Sequence, residues 1–316
     1  MHVLSKETNI NFIGIRKYAL ILSALLLLVS VYAIVTKGLN FGIDFTGGTM
    51  IEIAYPEQAD LNQIRTTLSE AGYDDAVVQN FGSLQDVLIR LPVIADQNMA
   101  DLSNEVVAVL SANDNQQIQV NRVEFVGPQV GEELTEDGGL AMIYALFGIL
   151  IYVAFRFEYR FAISSVFALV HDVVLTVGFF ALFELQFDLT ILAAILAVIG
   201  YSLNDTIVVF DRIRENFLKL RNAEPPEVIN VSVNGTLGRT IMTSMTTLLV
   251  VISLFIFGGE VIHGFAMALL VGIVIGTYSS IYIAGSSILL LGVSKYDLLP
   301  PEKENDDAVG SDGSQV

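Results

Sequence analysis

The sequence has 316 residues, 53% of them apolar and only 16% charged, where soluble domains carry about 25% charged residues. It contains no Cys, which excludes disulfides, thiolate nucleophiles and Cys-ligated metals, and none of its three His (His2, His171, His263) has a metal-ligand partner at i+3 or i+4. A net charge of −18 argues against a nucleic-acid partner, because phosphate binding needs a cationic face; a mean hydropathy of +0.62 points to a surface that faces lipid.

A bilayer core of about 30 Å takes about 20 apolar residues as a helix. Residues 1–17 read as a basic N-terminal segment with Lys6, Arg16 and Lys17, followed by a first span at 18–36. Its apolar stretch is long for a signal peptide and no A-x-A-like site follows, so it is expected to stay as an anchor. Residues 37–137 are polar and hold most of the acid: from 44 to 137 there are seventeen Asp and Glu against three Arg. Alternation predicts a strand at 49–55 (TMIEIAY), and Asp60 is a candidate N-cap for an amphipathic helix over 60–73 with Leu61, Ile64 and Leu68 on one face. A hairpin follows, 76–81 and 86–93 around Gly82-Ser83, then a helix at 98–110 and a last strand at 117–126. The order βαββαβ is that of a split-βαβ, ferredoxin-like sandwich. No Ser-His-Asp set, close carboxylate pair or phosphate-binding Gly loop lies within it, so binding is its default role, and its clients are not acidic.

Five more spans follow, at 138–155, 161–183, 189–210, 240–259 and 261–290. The last lies in a run without Asp, Glu, Lys or Arg from 261 to 294, longer than one span needs, and tilt or an interfacial extension past Gly285 or Gly292 absorbs the excess. The glycines at 258, 259, 264, 272, 276 and 285 are expected to be close-packing contacts rather than hinges. Residues 296–316 are acidic, free of aromatics and expected to be a disordered tail. With the N-terminus inside, twelve of the sixteen Lys and Arg fall in cytoplasmic segments, and the outside ones are Lys37, Arg65, Arg90 and Arg122. The bias predicts both termini in the cytoplasm and 37–137 outside. The expected fold is a polytopic α-helical membrane protein of six transmembrane helices, with one α+β ferredoxin-like extracytoplasmic domain between spans 1 and 2.

Ionisable groups inside spans cost about 2.5–3.5 kcal/mol on insertion scales and mark functional sites by default. Two carboxylates qualify. Asp172 is mid-span and adjoins His171. Asp205 sits in a polar patch, GYSLNDT at 200–206, where Tyr201, Ser202, Asn204 and Thr206 offer hydrogen bonds. Arg239 opens the fifth span, ahead of Thr240, Thr243, Ser244, Thr246 and Thr247, and a helix beginning earlier carries its guanidinium deeper. An Arg near buried carboxylates favours their ionised forms while burial favours the neutral ones, and a carboxyl balanced between the two can load and release protons. A purely structural role for Asp172, or a positive-inside role for Arg239, competes with that reading.

These residues resemble a known family. The segment GIDFTGG at 42–48 looks like the signature shared by SecD and SecF proteins, and GYSLNDTIVVFDRIRENF at 200–217 resembles the SecF-type version of the fourth span. VGPQVGEEL at 126–134, His171-Asp172 and LGRTIMTS at 237–244 also match, in order. The resemblance to the SecD/SecF family of protein-export membrane subunits implies half of a transporter-like twelve-span unit completed by SecD. It implies work with the SecYEG channel and YajC on unfolded preprotein clients in the bacterial inner membrane. It also implies use of the proton motive force, with no other cofactor and no enzymatic activity. By position, Asp205 and Arg239 match the family's proton-path carboxylate and arginine, with Asp172, His171 and Asn204 beside them. Asp44, Gly47 and Gly48 are expected either to form a tight helix-to-strand turn capped by Asp44 or to be a joint coupling membrane events to the outside domain.

Two rival readings remain. An intramembrane aspartyl protease also carries two Asp on adjacent spans, but here the preceding residues are His171 and Asn204 rather than those of Y-D and G-x-G-D motifs. A passive scaffold predicts that Asp205 and Arg239 tolerate neutral substitution.

Overall fold

The computed structural model describes residues 8–93, 99–113, 118–220 and 222–294. The acidic tail, Asn98 and Gln117 lie outside these. In chain order the elements are α1 (Phe12–Thr36), β1 (Asn40–Phe41), α2 (Ile43–Thr46), β2 (Gly48–Ala54), α3 (Leu61–Glu70), β3 (Val77–Phe81), β4 (Ser83–Leu91), α4 (Met99–Asn113) and β5 (Gln119–Val126). There follow α5 (Pro128–Arg156), α6 (Tyr159–Leu182), β6 (Gln186–Phe187), α7 (Leu189–Lys219), α8 (Pro225–Phe257), α9 (Glu260–Ser279), a π-helical segment (Ser280–Ala284) and α10 (Gly285–Leu290).

Among the described residues, six helical stretches are long and apolar enough to cross a membrane, as expected, but four outrun their apolar cores. α1 starts at Phe12 rather than near 18, because the Asn11 side chain accepts from Gly14 N (2.7 Å) and caps it there. α5 starts ten residues before 138, with Pro128 in its first turn, where its missing N–H costs nothing. α7 runs past 210 to Lys219, and ion pairs Arg156–Asp211 (2.7 Å) and Arg214–Glu158 (3.1 Å) tie its charged end to the α5–α6 connection. α8 starts at Pro225, so Arg239 and Thr240 lie well inside a helix rather than at its start. In each case hydropathy locates the lipid-facing part, and capping and ion pairing set where the helix ends.

About half of the apolar stretch of α6 and of α7 is buried, against 11% for α5 and 17% for α8, so α6 and α7 form the centre. Phe157, Phe161 and Phe210 interlock there with ring centroids 5.3–6.2 Å apart. α9 lies against α7 through small residues: a Cβ at Gly276 would stand 3.0 Å from Ser202 Cβ, and Gly264 and Gly272 abut Ile191 and Val198 in the same way. Gly285 likewise faces Ile229 of α8, whereas Gly259 supplies a left-handed turn (φ 73°) ahead of α9.

Between α1 and α5 the strands form one antiparallel sheet in the order β3-β4-β2-β5. Asp60 caps α3 as expected, accepting from Asn62 N and Gln63 N. Ile51, Ile53, Val87 and Ile89 pack with Ile64 and Leu68 of α3 and Leu102 and Val106 of α4. Met50 and Leu88 on the opposite face cover Ile43 of α2. A two-residue parallel bridge, β1 to β6 (Asn40 with Gln186, Phe41 with Phe187), joins the exit of α1 to the entry of α7.

Candidate functional site

His171 and Asp172 project from α6 into the bundle, 4% and 0% exposed. His171 Nδ1 lies 2.9 Å from Asp172 Oδ1, the ring lies against Tyr278, and Nε2 has no hydrogen-bond partner among the described residues. Asp172 Oδ2 accepts from the Ser202 hydroxyl of α7. One turn along α7 stands Asp205, 8% exposed, whose Oδ1 accepts from Thr240 of α8 (2.7 Å) and whose Oδ2 accepts from Ser280 of the π segment. Residues three apart share a helix face, so Ser202 and Asp205 set two hydrogen-bonded clusters one turn apart on α7, the first reaching α6 and the second reaching α8 and the π segment.

Further hydroxyl pairs lie on the same helices. Tyr201 donates to Ser244 (3.1 Å), which lies 2.7 Å from Thr277 Oγ1, and Thr277 donates to Ile273 O (2.7 Å). Tyr278 donates to Ala19 O of α1 (2.8 Å) and stands 3.0 Å from Ser23 Oγ.

The structure thus gathers Asp172, His171 and Asp205 but not Asn204 or Arg239, both of which are exposed. Each is one residue from a member of the second cluster, Asp205 and Thr240. Successive side chains on a helix turn by about 100°, which faces them outward. Arg239 lines a cavity of about 300 Å³ with Asp211, Arg212, Glu215, Gly235 and Thr236. The polar patch also divides differently from expectation: Ser202 bonds Asp172, Tyr201 bonds Ser244, and the Thr206 hydroxyl has no partner among the described residues. The donors to Asp205 come from other helices. Ser280 was missed by sequence reasoning; its one signal is the Tyr278-Ser279-Ser280 cluster in a run otherwise free of charge.

At the other end of α7, Asp44 does not cap its own turn. Its Oδ2 accepts from Leu189 N (3.1 Å), at the first residue of α7, while Asp188 accepts from Ile191 N (3.0 Å). Both carboxylates therefore sit at the positive end of the α7 dipole. Burial pushes the Asp44 carboxyl above its usual range; the Leu189 N–H pulls it down, Asp188 and Glu124 push it up, and Arg122 lowers it. Gly47 (φ 68°) and Gly48 (φ 123°) make the turn into β2, and a Cβ at Gly48 would overlap Leu91 O. Gly131 of α5 seats on Gly47, where a Cβ would stand 2.9 Å from Gly47 N. The Arg90 guanidinium of β4 donates to Phe41 O and Asn40 Oδ1, and burial lowers its pKa. A cavity of about 440 Å³ opens beside this joint, lined by Asp44, Arg122 and Glu124 on one side and Phe180, Asp188 and His263 on the other.

The family described as "Protein export membrane protein SecD/SecF, C-terminal" matches residues 106–294, and "SecD/SecF GG Motif" matches 32–55. Protein translocase subunit SecF of Vibrio alginolyticus is 49% identical over 97% of this chain and 97% of its own length. The SecF of Pseudomonas aeruginosa is 50% identical over 95% and 97%, and that of Escherichia coli O157:H7 is 46% identical over 91% and 89%. The crystal structure of SecDF, a translocon-associated membrane protein from Thermus thermophilus, matches with a TM-score of 0.82 at 38% identity, and SecDF in a super-membrane-facing form matches with 0.66 at 37%. These cover 92% and 90% of this chain, which spans only 39% of the length of either SecDF chain. With relatives matched end to end, and the motif at 42–48 and the helices at 128–290 both within the matched segments, the chain belongs to the SecF family of SecD/SecF protein-export membrane subunits.

Proposed function

We propose that this chain is the SecF half of a proton-driven export machine, and that Asp205 is its proton-exchanging group. Asp205 carries the reading: a carboxylate buried among membrane helices, with each oxygen on a hydroxyl from a different neighbouring helix. A change of its charge alters how α7 holds α8 and α9. Asp172 and His171 form the adjoining relay through Ser202. Arg239 and Asn204, exposed on the bundle, are assigned to the face that meets SecD, where they complete the path. Moving one charge through 100 mV is worth about 2.3 kcal/mol, enough to bias a two-state element by the few kcal/mol that separate its forms.

The output is the domain over 37–137, assigned to the outside with both termini in the cytoplasm and the spans in the inner membrane. Its element order and its strand order β3-β4-β2-β5 support a ferredoxin-like sandwich. Asp44, Gly47 and Gly48 act as the coupling joint: Asp44 holds the start of α7, the helix that carries Asp205, while Gly48 begins the sheet. In this reading the domain holds unfolded preprotein emerging from SecYEG, with YajC as accessory, and the chain is not an enzyme.

Asp205→Asn, co-purified with SecD and placed in proteoliposomes with SecYEG, is expected to assemble normally and to lose proton flux and gradient-dependent export. Undiminished flux and export in that variant would favour the passive scaffold instead.

A further inference from the structure

Thr240 and Ser280 both donate to Asp205, but they differ in what else they can reach. Ser280 Oγ also lies 3.0 Å from Thr277 O, within bonding distance of a second acceptor in its own helix. Thr240 shows no second acceptor among the described residues. Ser280 is fully buried. It is also the first residue of the π segment, a widened turn of a kind that recurs at functional sites. Ser164 of α6 donates to Ala284 O at the other end of that segment (2.9 Å), fixing it against the bundle.

An ionised carboxylate only accepts hydrogen bonds, whereas a protonated one must also donate. A site that works in both states needs a neighbour that can reverse. We propose that Ser280 is that neighbour: its hydroxyl donates to Asp205 Oδ2 in the ionised state, and in the protonated state it turns its hydrogen to Thr277 O while its oxygen accepts from Asp205. One proton arrives on Oδ2 and later leaves from it. Ser280 keeps its own hydrogen throughout, so it is a positioning residue and not a carrier.

The titratable groups on the packed helices do not take its place. Asp172 is bonded to Ser202 and His171, Tyr201 donates to Ser244, Tyr278 donates to Ala19 O, and Arg239 is exposed. The proposal rests on the reading that Asp205 exchanges protons, and the two can fail separately.

The test is infrared spectroscopy of the full chain with SecD and SecYEG in proteoliposomes, with ¹³C-labelled Asp confined to the chain and the Asp205 carboxyl band assigned by its loss in Asp205→Asn. The export rate driven by a proton gradient is measured on the same samples. Ser280→Ala is expected to move the protonated-carboxyl band and slow export about tenfold. Ser280→Thr, which keeps the hydroxyl, is expected to restore both, and Ser280→Cys, similar in size with a weaker donor, to fall between. A band and rate unchanged in Ser280→Ala overturn the role of Ser280 and leave proton exchange standing. A slower rate with an unmoved band also overturns it, since packing alone explains that result. If the wild type shows no Asp205 band at any pH, the proton reading falls and this one with it.

Discussion

Asp205, midway along α7, and Asp44, which reaches its first turn, are held by different kinds of donor. Asp44 accepts from a backbone N–H, whose direction the helix fixes. Asp205 accepts from two hydroxyls, which rotate. A fixed donor at a helix N-terminus suits a carboxylate that stays in place, while rotatable donors suit one that changes state. The same helix can therefore be anchored at one end and switched in the middle.

The comparison breaks first at the glycine turn beside Asp44. Gly48→Val puts a branched side chain into Leu91 O at a φ of 123°, and a loss of about 3 kcal/mol or more is expected, read by thermal unfolding of the detergent-solubilised chain. Asp172→Ala leaves the Ser202 hydroxyl and His171 Nδ1 without their shared partner. It should cost about 2–5 kcal/mol, and Asp172→Asn distinctly less.

Asp44→Ala removes a remote helix cap and should cost about 1 kcal/mol. Asp44→Asn keeps an oxygen for Leu189 N and sharpens the contrast through pH. Because burial raises the Asp44 pKa in the folded state, its contribution to stability is full below the unfolded value, near 3.8, and is lost as pH rises through the folded value. The variant cannot ionise, so its melting temperature should gain on the wild type as pH is raised from about 4 to 7; a constant gap would show that Asp44 is not desolvated. The smallest effect is expected at Thr243, exposed and bonded to its own helix backbone, where Thr243→Val should change stability by less than about 0.5 kcal/mol.

The residues of the candidate site were unevenly legible. Asp172 and Asp205 stood out because a charge in an apolar run is conspicuous, and His171 because it adjoins one of them. Asn204 stood out as a neighbour of Asp205 and Arg239 as a cation at the start of a span, yet both face outward, since neighbours along a helix occupy different faces. Ser280 carried only a faint signal, its place in a polar cluster at 277–280: a serine in a membrane helix ordinarily bonds its own backbone, as Ser253 does with Leu249 O. The glycines at 47 and 48 announced a turn, but the reach of Asp44 to Leu189 spans 145 positions and has no local signature.

The sequence by itself determined the six spans, the order of strands and helices in the polar segment and the presence of carboxylates at membrane depth, because lipid solvation and side-chain period act on neighbouring residues. Which helix supplies the donors to each carboxylate, and the hold of a residue from the turn after α1 on the start of α7, were settled only in three dimensions. Those outcomes depend on helix rotation and close approach at Gly272 and Gly276, and these are settled by packing between segments far apart in the chain.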